Sequence, residues 1–433
     1  EMPPSSDDAA VRPLPPPGTV ERTVAAVWRI ESAKIVGTLA RMVGDFGWAE
    51  DLAQEALLDA LRQWPVEGVP RNGAAWLTAV AKRKAIDGWR RQERFDHRIA
   101  VLAHDLEREQ AEGIDAVPWD PDAVDDDVLR LMFIACHPVL SREAQVALTL
   151  RVVAGLSSEE IARAFLVPTA TVQQRIVRAK KTLAAAGVPF ETPPREEHTA
   201  RLGALLGVVY LIFNEAHAAS SGPEWMRPDL ADEAIRLGRV LVGLMPREPD
   251  ALGLLALMEL TAARFPARTD AQGDPVLLGD QDRRLWDRSR ITRGRAALAR
   301  ADAVGRGRGA YGLQAAIAEC HALAPSIEDT DWERIVVLYE ALGRLAPSPV
   351  VELNRAAAVA MATGPASALK VLDQLEASGV LRGYHLLPAT RAEMLRRLGR
   401  EDEARSEFAT AAALTGNDRE RALLEAKSRG ERT

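Results

Sequence analysis

The stretch that decides the fold is Gly155–Leu183, GLSSEEIARAFLVPTATVQQRIVRAKKTL. Ser157 and Glu160 have the spacing of a capping box, which predicts the start of a helix. Pro168 then breaks this helix, and Thr169 is placed to cap the next one. A short helix, a tight turn and a longer second helix are typical of a helix-turn-helix. The stretch therefore predicts a helical, DNA-binding motif.

The second helix of this motif has one apolar face and one polar, basic face. Val172, Ile176, Ala179 and Leu183 recur at helical spacing and predict the buried side. Polar side chains near the helix N-terminus can read base edges, and cationic ones further along can meet phosphates or guanines. The residues predicted to contact DNA are Thr169, Thr171, Gln173, Gln174, Arg175, Arg178, Lys180 and Lys181. The alternative interpretation is a solvated amphipathic helix with an exposed basic face.

The composition is that of a soluble, mostly helical protein. The 433 residues are enough for about three domains. Aromatic residues make up only 5% of the chain and alternating β-branched runs are scarce, which favours an all-α fold. Two cysteines allow at most one disulfide, so a cytoplasmic location is expected. No secretory leader is expected, and no membrane span, because Leu202–Phe213 is shorter than the roughly 18 apolar residues that a span needs.

Charge is segregated along the chain. A uniformly acidic protein with a net charge of −7 would be repelled by phosphate. The local sums differ: Lys82–Arg98 carries +4, His104–Asp127 carries −9 and Ser141–Gly187 carries +4. Two basic blocks flanking an acidic one predict nucleic-acid contacts at two separate places.

The N-terminal part is predicted to be a disordered, Pro-rich tail (1–18) followed by a helical domain (19–98). Its clearest helix is Asp45–Trp64, which Pro65 is expected to end. The predicted buried positions of this helix are Ala49, Leu52, Ala53, Ala56, Leu57, Ala60, Leu61 and Trp64, and the predicted polar face is Glu50, Asp51, Gln54, Glu55 and Asp59. After a Pro/Gly-rich loop, a basic helix is predicted from Ala74 to about Arg94.

The remaining chain is predicted to hold an acidic, mostly extended linker (99–125), the helix-turn-helix domain (126–190) and a long helical region (198–433). Two segments of about 34 residues within 348–416 repeat faintly, with small residues at matching positions such as Ala356 and Ala392. This favours tetratricopeptide-like repeats, and a generic helical bundle is the alternative.

Three motifs together resemble bacterial RNA polymerase sigma factors of the extracytoplasmic-function type. TVQQRIVRAKKTL resembles the final helix of that family. AEDLAQEALLDALRQW (Ala49–Trp64) resembles the helix that docks on the clamp helices of the polymerase β′ subunit, and AWLTAVAKRKAIDGWRR (Ala75–Arg91) the helix after the loop that reads the −10 element. The motifs occur in the family order and cover about residues 19–186.

The resemblance implies roles for individual residues and implies that the protein is not an enzyme and needs no cofactor. It implies core RNA polymerase, through the β′ clamp helices and the β flap, and promoter DNA as partners. The residues implied to face core polymerase are Asp51, Gln54, Glu55 and Asp59. The residues implied to contact the −10 element are Arg71, Asn72, Trp76, Lys82, Arg83, Arg90 and Arg91. The helix-turn-helix residues given above would bind the −35 element. The acidic linker would lie in the RNA channel of the polymerase, and the alternative for this linker is a solvated spacer.

The chain departs from the family pattern in two ways. Arg83 stands where many members carry Asn, and the chain continues well beyond Ala186. A subgroup has a long C-terminal extension with tetratricopeptide-like repeats, and YLIFNEAHAAS (Tyr210–Ser220) resembles a hallmark of that subgroup. The resemblance implies that the extension regulates or supports activity and contacts the sigma domains.

Other sites and functions have weaker support. Cys136–His137 and Cys320–His321 could be half-sites for zinc, but buried packing is the commoner role of such pairs. Asn214, Glu215 and His217 follow an apolar run and are expected to anchor helix packing. The competing functions are a single-component helix-turn-helix regulator with a ligand-binding helical domain, a helical-repeat scaffold and, more distantly, an enzyme.

Overall fold

The computed structural model describes residues 19–91, 121–217 and 226–431. In these ranges the regular structure is helical, with a single isolated bridge between Thr269 and Pro275, which confirms the all-α prediction. The predicted tail (1–18), the first part of the predicted linker and the end of the predicted basic helix (92–94) lie outside the described residues.

The described helices of the N-terminal half are α1 (Thr19–Val43), α2 (Phe46–Glu67), α3 (Gly73–Arg91), α4 (Pro121–Ala135), α5 (Arg142–Val152), α6 (Ser158–Phe165), α7 (Thr169–Ala185) and α8 (Arg195–His217). Those of the C-terminal half are α9 (Pro228–Leu244), α10 (Pro249–Ala262), α11 (Arg288–Ala303), α12 (Ala310–Leu323), α13 (Trp332–Leu345), α14 (Pro349–Ala362), α15 (Pro365–Ser378), α16 (Leu386–Arg397), α17 (Glu401–Leu414) and α18 (Asp418–Ser428). They form two compact units, Glu1–Arg163 with Val167–Ala204, and Ala164–Leu166 with Leu205–Thr433.

The helices α1 to α3 pack around small and aliphatic side chains such as Leu39, Ala53 and Leu77, which are fully buried. Two edge-on tryptophan pairs join α2 to α3, with ring centroids 5.8 Å apart for Trp48 and Trp89 and 5.5 Å apart for Trp64 and Trp76. Aromatic pairs in this geometry add to the stability gained by burial alone. The rigid packing of α2 on α3 fixes the loop between them.

Helix α2 does not end where the sequence predicted. It continues through Pro65 to Glu67. The fixed φ of proline is itself helical, and the helix forgoes the one hydrogen bond that Pro65 cannot donate to the carbonyl of Leu61. The chain turns at Gly68, whose φ of 89° lies in the region that favours glycine. Leu61, predicted to be buried, is exposed.

The helix-turn-helix forms as predicted from α6 and α7. The backbone N–H of Ser157 donates to Glu160 Oε2 at 2.7 Å, and the N–H of Glu160 donates to Ser157 Oγ at 3.2 Å, which completes the capping box. Val172, Ile176, Ala179 and Leu183 are buried. Thr169 does not cap α7, because Pro168 occupies the cap position and Thr169 is the first helical residue.

The helix-turn-helix domain begins earlier in the chain than position 126. Helix α4 starts at Pro121, so the end of the predicted acidic linker is helical rather than extended. Asp127 on this helix is fully buried and accepts bonds from Arg41 and Arg130, each at 2.8 Å. Burial of this carboxylate with two guanidinium groups ties α4 to α1.

The second unit is built of the Ala- and Leu-rich helices that follow. Glu259 on α10 is almost completely buried and forms ion pairs with Arg239, Arg290 and Arg293, so its charge is compensated. Segments that include 266–282 and 305–309 separate α10 from α11 and α11 from α12.

Helices α14 to α17 form two successive helical hairpins, followed by α18. The turns contain Gly364 and Gly399, each with a positive φ. The predicted matching positions Ala356 and Ala392 are buried in one cluster, together with Leu372 and Phe408. The assignment of these hairpins to tetratricopeptide repeats stays a prediction.

Helix α8 contains a stretch, Glu196–Ala216, that is long and apolar enough to cross a membrane by length and composition alone. The prediction from Leu202–Phe213 therefore underestimated its length. Half of the stretch is buried, as in a core helix of a soluble protein, so this finding is weak evidence for a membrane span.

Candidate nucleic-acid interface

The outward face of α7 carries most of the side chains predicted to contact DNA. Gln173, Gln174, Arg178 and Lys181 are exposed, whereas Thr169, Thr171 and Arg175 are partly buried. The exposed set combines amide groups, which can pair with base edges, and cations, which can pair with phosphate or guanine. This face can therefore meet the major groove of a duplex.

The sequence analysis missed Val177, which lies on the same face and is 50% exposed. An apolar side chain among polar ones can contact the methyl group of thymine. In the sequence, the only indication that Val177 is exposed was that it does not fall at the helical spacing of the buried residues.

Lys180 differs from the other cations of α7, because it is directed towards α2. Its Nζ lies 2.6 Å from Glu50 Oε2 and 2.5 Å from Asp51 Oδ1. Burial opposes the charge of Lys180, but the two carboxylates outweigh it and raise the pKa of this amine. In this structure Lys180 is therefore engaged within the chain rather than exposed to DNA.

Glu50 was predicted to lie on the polar, solvent-facing side of α2, and this prediction is wrong. Glu50 is 4% exposed and also accepts a bond from Arg151 Nε at 3.4 Å. Because Arg151 and Lys180 both belong to the helix-turn-helix domain, the buried carboxylate joins that domain to α2.

The residues predicted to face core polymerase lie along α2 in different environments. Asp51 and Glu55 are exposed, and Gln54 and Asp59 are partly buried. Lys84 on α3, which the sequence analysis did not single out, pairs with Asp59 at 2.9 Å and with Glu55 at 3.3 Å. Its hydrogen bond to Asp59 is the main reason that the pKa of Lys84 is raised, although burial opposes the shift.

The loop between α2 and α3 holds the side chains predicted to meet the −10 element. Arg71 is exposed. Asn72 Oδ1 accepts a bond from the N–H of Ala75 at 3.0 Å, so this side chain caps α3. Trp76 is partly buried against Trp64. The C-terminal end of the loop is thus fixed by the Asn72 cap of α3 and by the Trp64–Trp76 ring pair.

The basic side chains of α3 complete this surface. Lys82 is partly buried and Arg83 is exposed. Arg90 and Arg91 lie in the last turn of α3, and their side chains are outside the described residues.

Both cysteines of the Cys-His pairs and His321 are buried, whereas His137 is partly exposed. Burial raises the pKa of Cys136 to about 12, and its Sγ lies 3.4 Å from Thr149 Oγ1. Burial also raises the pKa of Cys320 and lowers that of His321 to about 3. Across the described ranges no group of three or more His, Cys, Asp or Glu side chains could hold a metal ion.

The polar residues after the apolar run of α8 act in packing. Glu215 Oε1 accepts a bond from Arg227 Nη1 at 2.7 Å. Asn214 is hydrogen-bonded to Tyr210, whose pKa is raised by burial. The side chain of His217 is outside the described residues.

Comparison with known proteins connects this geometry to a family. Residues 30–95, which contain the acidic helix and the loop after it, match the model of sigma-70 region 2. Residues 130–183, which contain the helix-turn-helix, match the model of sigma-70 region 4. The RNA polymerase sigma-H factor of Pseudomonas aeruginosa is 31% identical over 36% of this chain and 82% of that protein. The chain belongs to the sigma-70 family of RNA polymerase sigma factors.

Two other relatives are similar to larger parts of this chain. A probable extracytoplasmic-function sigma factor, SigI, of Mycobacterium tuberculosis is 29% identical over 51% of this chain and 73% of that protein. An uncharacterized protein of Rhizobium meliloti is 47% identical over 90% of this chain and 91% of its own length, so it shares the C-terminal extension. Residues 201–302 of the extension match a family of unknown function. No solved structure matches the chain.

Proposed function

We propose that this sigma factor binds core RNA polymerase through α2 and directs it to promoters through the α2–α3 loop and α7. Sigma factors act in transcription initiation and are not enzymes, and the family matches cover both regions that this role requires. The proposal adds the assignment of individual residues. We propose that the protein acts in the cytoplasm, because RNA polymerase and its DNA template are both located there.

The observation that supports the core-polymerase surface most directly is the row of polar side chains on α2. Within the predicted set, Asp51 pairs with Lys180 of the helix-turn-helix domain, whereas Glu55 and Asp59 pair with Lys84 on α3. The side chain of Glu55 is 58% exposed. Leu58 and Leu61 on the same helix are exposed as well. An exposed mixture of apolar and acidic side chains is suited to docking against a protein partner.

The experiment is a binding titration of the purified chain with bacterial core polymerase. We expect Gln54→Ala/Glu55→Ala to weaken binding by about 5–150-fold, the range for loss of about 1–3 kcal/mol at an interface. Glu67→Ala is the matched control, since Glu67 is an exposed glutamate in the last turn of the same helix.

A wild-type affinity for the control and a loss for the double variant would support the assignment. If folded wild-type chain bound no core polymerase but bound duplex DNA alone, a single-component regulator would be the better account.

We propose that α7 binds the −35 element and that the loop 68–72 with Trp76 and the basic side chains of α3 contacts the melted −10 element. The exposed amides and cations of α7 support the first assignment. The second is supported by exposed Arg71 and Arg83, because a captured single-stranded base needs nearby cations. We also propose that the extension regulates or supports initiation through contact with the sigma domains.

A further inference from the structure

Two arginine side chains lie against one tryptophan ring in the extension. The guanidinium carbon of Arg283 is 4.9 Å from the ring centroid of Trp286, and that of Arg264 is 5.5 Å from it. Trp286 is almost completely buried, and all three residues belong to the second unit. Cation–π contacts attract both guanidinium groups to the ring but supply no negative charge. The two positive charges therefore need a further source of compensation.

The charge of Arg283 is accommodated by the end of a helix. Its Nη1 donates to the carbonyl oxygens of His321 at 2.7 Å and Ala324 at 2.8 Å, and its Nη2 donates to Thr330 Oγ1 at 3.3 Å. His321 lies in the last turn of α12, and Ala324 is the C-cap residue. Because the C-terminal end of a helix carries partial negative charge, it stabilises a cation there. Arg283 thus has a structural role.

Arg264 is less well compensated. Its side chain is partly buried and donates one hydrogen bond within the described ranges, from Nε to Gln281 Oε1 at 3.4 Å. Burial lowers the pKa of Arg264 to about 10, and the neighbouring charge of Arg283 adds to this shift. Gln281 is itself buried, so the partner of the guanidinium group is a neutral amide rather than a carboxylate. Charges removed from water are ordinarily paired.

The acidic side chains near the cluster do not change this balance. Asp282 is paired with Arg284, and Glu328 and Asp329 are exposed. The charges of Glu328 and Asp329 oppose the effect of burial on Arg283, but burial still lowers the pKa of that residue. These carboxylates therefore leave Arg264 available to an anion from outside the chain.

Two buried polar atoms beside the arginines have no hydrogen-bond partner in the described residues. They are Nε1 of Trp286 and Nδ1 of His321. The indole N–H can only donate. Burial lowers the pKa of His321 to about 3, and Arg264 and Arg283 reinforce the shift, so the ring is neutral and one of its nitrogens carries a hydrogen. Since buried polar groups in proteins are nearly always satisfied, these two atoms indicate an acceptor that the chain does not supply.

A small solute can reach the cluster. Arg264 is partly exposed, and its Nη groups donate no hydrogen bond within the part of the chain that the structure describes. Gln281 and Arg283 also line a cavity of about 300 Å³. This volume lies at the lower end of the range for ligand pockets and is sufficient for an ion of a few heavy atoms.

We propose that Arg264, Trp286 and His321 form a binding site in the extension for a small oxyanion, either a phosphate or a carboxylate. Oxygen atoms of the anion accept hydrogen bonds from the Nη groups of Arg264 and from Nε1 of Trp286. His321 donates from Nδ1 in the tautomer that carries its hydrogen there. Arg283 adds positive charge from its fixed position at the end of α12. The site lies wholly in the second unit and does not depend on the proposed contacts with polymerase and DNA.

The experiment is isothermal titration calorimetry of the full-length chain with inorganic phosphate and, separately, with succinate, at constant ionic strength in chloride. We expect saturable binding at one site per chain for at least one of the two anions. Arg264→Gln removes the charge and retains a polar side chain. It should weaken binding at least about tenfold, because hydrogen bonds to charged groups are stronger than those between neutral groups.

A second variant tests the indole donor. Trp286→Phe retains an aromatic ring beside the two guanidinium groups and removes the N–H. We expect it to weaken anion binding by about tenfold. A cooperative thermal transition of the anion-free variant, followed by circular dichroism, verifies that it is folded.

The matched control is Arg288→Gln. Arg288 is an exposed arginine close to Trp286 in the sequence, and its substitution removes the same charge without removing a proposed contact. Exposed charges are screened by salt, so this variant should bind the anion within about twofold of wild type.

Either of two results would overturn the site. One is the absence of saturable binding of both anions by the folded wild-type chain. The other is equal weakening by Arg264→Gln and Arg288→Gln, because that pattern would reflect only the general charge of the surface. Selective loss in Arg264→Gln and Trp286→Phe would support the site, and a preference for phosphate or for succinate would identify the chemistry of its ligand. Since the readout is anion binding, failure of the proposed polymerase contacts would not affect this test.

Discussion

Arg178 and Lys180 are both cations on α7, yet they lie in different environments. Residues two positions apart in a helix do not share a face. Arg178 is exposed, whereas Lys180 is held by Glu50 and Asp51. The sequence placed both in one DNA-binding set because composition does not distinguish a cation that faces solvent from one that faces a buried carboxylate.

At this scale we expect Arg178→Ala to weaken binding of the holoenzyme to its −35 element by about 1–3 kcal/mol, or about 5–150-fold. Core-polymerase binding should be unchanged, because Arg178 lies away from α2. The measurement is an electrophoretic mobility shift with holoenzyme on promoter DNA. Arg295→Ala, an exposed arginine on α11 in the second unit, removes the same charge and is the control.

A loss of core binding together with DNA binding would contradict this role for Arg178. It would indicate instead that the substitution disturbs the fold of the helix-turn-helix domain.

The packing of whole helices depends on a few small residues. Gly88 lies in α3, where alanine would normally stabilise the helix by about 1 kcal/mol. A Cβ atom at Gly88, however, would lie 2.9 Å from the Cζ2 atom of Trp48 on α2. The ring of Trp48 is held against Trp89 and has little room to move. The gap left by glycine thus allows α2 and α3 to approach.

We expect Gly88→Ala to lower the free energy of unfolding by about 1–3 kcal/mol, as overpacking does. Gly203→Ala is the control, because Gly203 is also helical and no atom lies within 4 Å of its added Cβ. That substitution should raise the free energy of unfolding by about 0.5–1 kcal/mol. Urea unfolding monitored by tryptophan fluorescence measures both, and the same sign for the two variants would disprove the close approach.

At the scale of the whole molecule, the boundary between the sigma domains and the extension falls inside α8. The sequence predicted a boundary before residue 198. The first part of α8 instead belongs to the first unit, since Arg201 Nη2 donates to the carbonyl of Phe133 at 3.0 Å and the ring of His198 lies edge-on to that of Phe133. A truncation at the predicted boundary would remove these contacts.

We expect a chain that lacks Leu205–Thr433 to bind core polymerase but to direct transcription from its promoter several-fold differently from the full-length protein. The measurement is run-off transcription at matched sigma and core concentrations. Removal of 198–433 is the comparison, and we expect it also to lower the melting temperature of the sigma domains, because Phe133 loses its partners. Equal transcription by the full-length and Leu205-truncated chains would refute a role for the extension in initiation.

The sequence by itself determined the helices, the capping box, the buried face of α7 and the family, because these depend on local spacing and on residue types within a single element. It was wrong at Pro65, because the chain turns only at Gly68, and at Thr169, because Pro168 occupies the cap position of α7. It was also wrong at Glu50, which the sequence placed on the polar face of α2. Only the tertiary structure decided that Glu50 is buried beneath Lys180 and Arg151 and that Gly155 lies against α1. The physical reason is that a charge can be buried wherever a distant part of the chain supplies the opposite charge, and the pairing of such distant residues is set by how the helices pack.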